Sequence, residues 1–106
     1  MPRIEKDISK FVEEMTRLFQ PAKVILFGSH ATGNATPHSD VDILVLMDYK
    51  GKASKKAFEI RKAVKRGFPL DLIVRRPRDL SKRMILGDPF FKEIMQYGRV
   101  VYERPR

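Results

Sequence analysis

Cysteine is absent from this chain of 106 residues, which excludes disulfides, thiolate zinc sites and thiol nucleophiles together. Long apolar runs are missing as well, and no stretch approaches the roughly 20 residues that a membrane-spanning helix needs. The opening segment MPRIEKDISKF carries acids and lacks the continuous apolar stretch of a secretory signal. These absences predict a cytoplasmic protein with no membrane partner. No repeat, low-complexity tract or internal linker interrupts the chain, so residues 1–106 are expected to form a single domain. Acidic residues are the minority, 13 against 22 Lys and Arg, for a net charge of +9. The imbalance is local. Residues 1–49 hold 5 basic and 7 acidic side chains, whereas residues 50–66 hold 8 basic and 1 acidic. A basic field of that kind attracts nucleotide phosphates or nucleic acid, although a Lys-rich helix face also serves simply to stay solvated.

What is present is an ordinary apolar share, 42%, with two distinct periods in it. Ile4, Ile8, Phe11, Val12, Met15, Leu18 and Phe19 recur at helical spacing and predict an amphipathic helix over 4–19, with Pro2 at its entrance and Pro21 as its stop. KVILF at 23–27 reads as a strand, and residues 28–39 as a loop with room for a helical turn. DVDILVLM at 40–47 predicts a second strand; its unbroken apolar run implies that both faces are covered. A turn at 49–52 leads to a basic helix over 53–66, with Ala53, Ala57, Ile60 and Val64 inward and Gly67 as a left-handed cap. PLDLIVR at 69–75 predicts a third strand. Asp79 or Ser81 then opens a short helix near 80–86, and Asp88-Pro89 caps another over 89–97 that Gly98 ends. RVVYE is expected as an edge strand. In the 89–97 helix, Phe90, Phe91, Ile94 and Met95 are expected to pack the sheet in preference to the alternative, a surface for a partner or for self-association. This order predicts an α/β (α+β) domain with a small mixed sheet packed by helices.

Two carboxylates at the mouth of a core strand need a reason. Asp40 and Asp42 are two apart, so in an extended strand they share a side, roughly 6.5 Å apart along the chain. Like charges placed together away from water are unfavourable without a counter-ion. A divalent cation removes that cost, because carboxylates are the hard oxygen ligands that Mg²⁺ or Mn²⁺ prefers. Asp71 interrupts PLDLIV near the start of a strand that can pair beside 40–47. A third carboxylate there permits two-metal displacement chemistry at phosphorus, and Asp71 is also placed to accept a proton from an attacking hydroxyl. Gly28-Ser29 suits the phosphate end: glycine allows close backbone approach, exposed N–H groups after a strand attract anions, and the serine hydroxyl donates one more bond. Gly28 and Gly33 match G-x-x-x-x-G, but Asn34-Ala35 follow, which excludes a P-loop. A lone Gly-Ser turn or a lone D-x-D is ordinarily a turn or a solvated strand end. The conjunction is far more specific.

LFGSHATGNATPHSDVDILV resembles the signature of the minimal nucleotidyltransferases of the DNA polymerase β superfamily, and the resemblance extends through PLDLIV to EIMQYGRVVYE. It implies a polymerase β palm-like fold and Mg²⁺-dependent transfer of a nucleoside monophosphate, usually AMP from ATP, to an acceptor hydroxyl. By motif, Gly28 and Ser29 would hold the triphosphate and Asp40, Asp42 and Asp71 the metals, with Asp71 as possible base. The resemblance further implies a HEPN-domain partner, with the chain as an antitoxin that adenylylates the partner's tyrosine; self-assembly is the other pairing considered. Many relatives carry arginine in the loop, as GSRARG, where this chain has His30 and Thr32; if those arginines neutralise phosphate charge, either activity here is weaker or the lysines of 50–66 take their place. Two other readings stay open at this point: a non-catalytic module that neutralises a partner by binding, and a small basic nucleic-acid-binding protein. Sparse aromatics and the lack of a base-reading motif place the last behind the others.

Overall fold

The computed structural model describes residues 3–105, so Pro2 lies outside the described residues. The element order is α1 (Arg3–Phe19), β1 (Lys23–Phe27), α2 (Ser29–Thr32), β2 (Val41–Leu46), α3 (Ala53–Ala63), β3 (Leu70–Arg75), α4 (Pro77–Ile85), α5 (Pro89–Tyr97) and β4 (Arg99–Glu103). The strands form one mixed sheet in the order β3-β2-β1-β4. β1 runs antiparallel to both neighbours, while β2 and β3 are parallel. The expected α/β architecture, a small mixed sheet packed by helices, is the one observed.

Strand periodicity divides the core in two. Val24, Leu26, Val41, Ile43, Val45, Leu70, Leu72 and Val74 face one side, where Ile8, Phe11, Val12 and Met15 of α1 and Ile60 of α3 cover them. Ile25, Phe27, Leu44 and Leu46 face the other, beneath Leu80 of α4 and Phe91 and Ile94 of α5. Covering both faces is what the unbroken apolar run of β2 requires. Leu18 departs from expectation: it sits on the flank of the α1 stripe and is 45% exposed.

Two helix boundaries also differ. α3 ends at Ala63, and Val64 turns extended (φ −118°) so that its β-branched side chain enters the core. Gly67 is not left-handed, because the helix has already closed three residues earlier. α4 begins at Pro77, ahead of Asp79 and Ser81, since proline's fixed φ suits the first helical position. Arg76, just before it, donates to the Tyr49 and Gly51 carbonyls and lies 3.3 Å from the Asp79 carboxylate. α5 starts at Pro89 as expected, with the Asp88 side chain accepting from the Phe90 N–H at 3.0 Å.

β3 is an edge strand whose outward carbonyls are guarded. Val41 N–H reaches the Pro69 carbonyl and Met47 N–H the Arg75 carbonyl, so odd-numbered residues of β3 pair with β2 and even-numbered ones point outward. Of those outward carbonyls, Leu70's accepts from Arg61 at 2.7 Å and Val74's from Arg75 at 2.8 Å. Guanidinium groups along an edge discourage another strand from adding there.

Leu44 is fully buried between the sheet and α4/α5, whereas Phe58 on α3 is 64% exposed. Leu44→Ala is expected to cost about 2–5 kcal/mol in chemical denaturation, and Phe58→Ala to stay within about 0.5 kcal/mol of wild type.

Candidate active site

The site lies where the C-terminal end of β1 meets the N-terminal ends of β2 and β3. Phe27 pairs with Asp42 across β1–β2, and Asp42 pairs with Asp71 across β2–β3. Partners in a parallel register point to the same face, and alternation puts Asp42 and Asp71 on the face that carries Leu44 and Ile73. That face is roofed by α4 and α5, but the roof stops short of this end: Asp71 is exposed and Asp42 only partly buried. Asp40 lies exposed just before β2.

Gly28 is what lets the strand end and the carboxylate coexist. Its φ of 73° and ψ of −155° belong to a region that side chains do not tolerate. A Cβ at this position would collide with Oδ2 of Asp42 and lie 3.1 Å from its Cγ. The backbone and the carboxylate therefore touch only because glycine is here. Ser29 opens the short turn α2, whose start has no side-chain cap, leaving its first N–H groups to a ligand or solvent. The spacer then folds back on itself. Thr36 N–H donates to Ser39 Oγ at 2.9 Å, Ser39 N–H returns to the Thr36 carbonyl at 3.1 Å, and His30 Nε2 lies 3.3 Å from the Ser39 carbonyl oxygen. These bonds close the loop so that Gly28-Ser29 and Asp42 face each other.

Gly28, Ser29, Thr32, Asn34 and Asp42 line one side of a cleft of about 450 Å³, and Phe90, Glu93 and Tyr97 of α5 line the other. A larger cavity, about 910 Å³, opens among α1, β4 and residues 29–37; Ser29 and His30 reach it, but none of the three aspartates does. The smaller cleft, lined by Gly28, Ser29 and Asp42 but not by Asp40 or Asp71, is the candidate site.

Electrostatics separate Asp42 from its neighbours. Burial pushes its carboxyl above the ordinary value, and the charges of Asp71 and then Asp40 push it further, against a smaller lowering by His30. Among the described residues no three acidic or histidine side chains are arranged to grip a metal ion as they stand. The donor set nevertheless fits a hard divalent cation: three carboxylates within electrostatic reach, uncompensated charge on the central one, and a glycine cradle that keeps space beside it.

A model of the nucleotidyltransferase domain matches residues 8–102. The chain belongs to that family, a family of enzymes. Two proteins of Methanocaldococcus jannaschii, described as candidate protein adenylyltransferases, are each 31% identical. One alignment spans 104 residues, 92% of this chain and 97% of the relative; the other spans 87 residues, 76% of this chain and 58% of the relative. Among solved structures, a candidate nucleotidyltransferase from Sulfolobus solfataricus superposes with a TM-score of 0.69 at 21% identity, covering 96% of this chain and 82% of that one. A toxin–antitoxin with AMP-PNP gives 0.58 at 20% identity, covering 91% and 73%. At such identities the likeness is one of fold.

Sequence spacing singled out Gly28, Ser29, Asp40, Asp42 and Asp71, and all five fall at this end of the sheet. It did not bring α5 to the site. Phe90 and Met95, expected against the sheet, are 46% and 37% exposed, while Phe91 and Ile94 are buried. The lysines of 50–66 do not line the cleft. α3 packs on the opposite face through Ile60, with Val64 just beyond its end beside it, and Arg61 donates to the Leu70 carbonyl at the start of β3. Asn34 is brought to the cleft, and His30 to the larger cavity beside it, by loop closure, which no sequence period announces.

A raised carboxyl pKa means that the folded state holds the proton more tightly than the unfolded one, so the Asp42 contribution to stability is greatest in acid and falls as pH rises from 3.8 through the folded value. Without divalent ions, Asp42→Asn is expected to stabilise the fold at pH 7 by about 0.5–1 kcal/mol, the size of one cross-strand pair. Its advantage over wild type should shrink toward pH 4, checked by thermal melts across that range.

Proposed function

We propose that the chain transfers AMP from ATP to an acceptor hydroxyl with release of pyrophosphate, and that the acceptor is a tyrosine on a HEPN-type partner that the chain neutralises as an antitoxin. The observation that carries this reading is the contact between Gly28 and Asp42. It sets the Gly28-Ser29 turn directly against a carboxylate whose neighbours, Asp40 and Asp71, add like charge. The two similar proteins described as protein adenylyltransferases support a protein acceptor. The structural neighbour solved as a toxin–antitoxin with AMP-PNP supports the pairing and the adenine nucleotide.

In this mechanism the N–H groups at the start of α2 and the Ser29 hydroxyl bind and orient the triphosphate. Asp40, Asp42 and Asp71 would hold divalent cations, Mg²⁺ or Mn²⁺, which supply charge neutralisation for the phosphates and the leaving group. Asp71, at the exposed end of β3, takes the proton of the acceptor hydroxyl. The acceptor oxygen forms a bond to the α-phosphorus as the bond to the β-phosphate oxygen breaks, and pyrophosphate departs. Water is excluded only partly, because α4 and α5 do not roof this end, so docking of the acceptor protein itself completes the enclosure.

The test is intact mass of the chain and of its genomically adjacent partner after incubation with ATP and Mg²⁺. The partner should gain the mass of one nucleoside monophosphate, and Asp42→Asn or Asp71→Asn should lower the rate by at least about a hundredfold while the melting temperature is kept or raised. Full inhibition of the partner by Asp42→Asn with no mass added would favour a purely binding module instead.

A further inference from the structure

We propose that α5 carries the nucleoside-recognition surface of this cleft: the base lies against the rings of Tyr97 and Phe90, and the Glu93 carboxylate accepts a hydrogen bond from the nucleoside. This deepens, and rests on, the nucleotidyl-transfer reading of the site.

Phe90, Glu93 and Tyr97 are spaced three and four apart, so they share one face of α5, and all three line the cleft whose opposite wall holds Gly28, Ser29 and Asp42. The helix thus has two jobs. Phe91 and Ile94 are buried against the sheet, while Phe90 and Tyr97 leave 46% and 58% of their surface uncovered. Rings left open at the mouth of a cleft offer stacking surface to any base. Phe90 is held ready, edge-on to Phe27 at 6.1 Å and to Phe91 at 5.2 Å between centroids. The cleft, about 450 Å³, lies within the range that encloses small ligands.

Gly98 lets this wall pack closely against β1. A Cβ on Gly98 would collide with the Ile94 carbonyl oxygen and lie 2.9 Å from Ile25 Cγ2 and 3.2 Å from the Leu26 carbonyl oxygen. The end of α5 therefore rests directly on β1, the strand that delivers Gly28.

Charge sets the direction of the ligand. Among the described residues Glu93 forms no ion pair, and a carboxylate repels phosphate. The triphosphate tail consequently belongs at Gly28-Ser29, and the neutral, donor-bearing end belongs at α5. The donor that Glu93 accepts from is either the exocyclic amine of the base or a ribose hydroxyl.

The test measures binding, with Mg²⁺, of ATP, inosine triphosphate, 2′-deoxy-ATP and inorganic triphosphate to the whole chain and to Tyr97→Ala, Phe90→Ala and Glu93→Gln. Melting temperatures control for folding. Tyr97→Ala is expected to weaken ATP binding about tenfold and to leave inorganic triphosphate unchanged. Glu93→Gln is expected to narrow the preference for ATP over inosine triphosphate if the donor is the amine, or over 2′-deoxy-ATP if it is the hydroxyl. Unchanged ATP affinity in both aromatic variants, or both preferences unchanged in Glu93→Gln, overturns the proposal while leaving nucleotidyl transfer standing. A wild-type chain that binds neither ATP nor inorganic triphosphate overturns both.

Discussion

Asp42 and Asp71 stand side by side because β2 and β3 run parallel in a register that pairs them. The geometry of the candidate site depends on that pairing. Parallel partners face the same way, so two negative charges meet on one face with Asp40 nearby, and a partly buried Asp42 ionises reluctantly. A sheet concerned only with stability would put an apolar pair there, as it does one step further on at Leu44 and Ile73. The domain accepts a local repulsion and recovers the loss in the two-sided core behind it.

That core explains how so small a chain holds a strained end rigid. β2 is buried on both faces, so its register cannot slip by one residue without turning Asp42 into one apolar layer and Val41 and Ile43 into the other. Gly28 then locks β1 to the same point through its contact with the Asp42 carboxylate. Position of the carboxylates is thus set by burial several residues away, which suits a site that must be preorganised. α5 works in the same way: Phe91 and Ile94 anchor it, and the anchoring presents Phe90, Glu93 and Tyr97 to the cleft.

Much of this was legible in the residues. The limits of β1 and α5 and the existence of every other element followed from apolar period and from proline and glycine punctuation. Where the reading failed, a long-range contact won. Val64 leaves the helix because the core has a place for it, so Gly67 has nothing to cap. α4 starts at Pro77, ahead of Asp79, because proline suits the first helical position, and Arg76 ties that corner to Tyr49 and Gly51. Within FFKEIM, hydrophobicity alone cannot divide Phe90 from Phe91 or Ile94 from Met95; only the angle at which α5 meets the sheet does so. Charge alone would assign the basic stretch 50–66 to the phosphates, whereas Ile60 and Val64 fix it to the other face.

By itself, then, the order of residues determined the elements, the carboxylate set and the glycine turn, because periodicity and backbone tolerance are local properties that a chain carries wherever it goes. Which strands became neighbours, which face received each helix, and therefore that Asp42 meets Asp71 and Gly28 while α5 forms the facing wall of the cleft, was decided only in three dimensions. Those outcomes depend on burying two apolar layers at once, and no single segment contains that requirement.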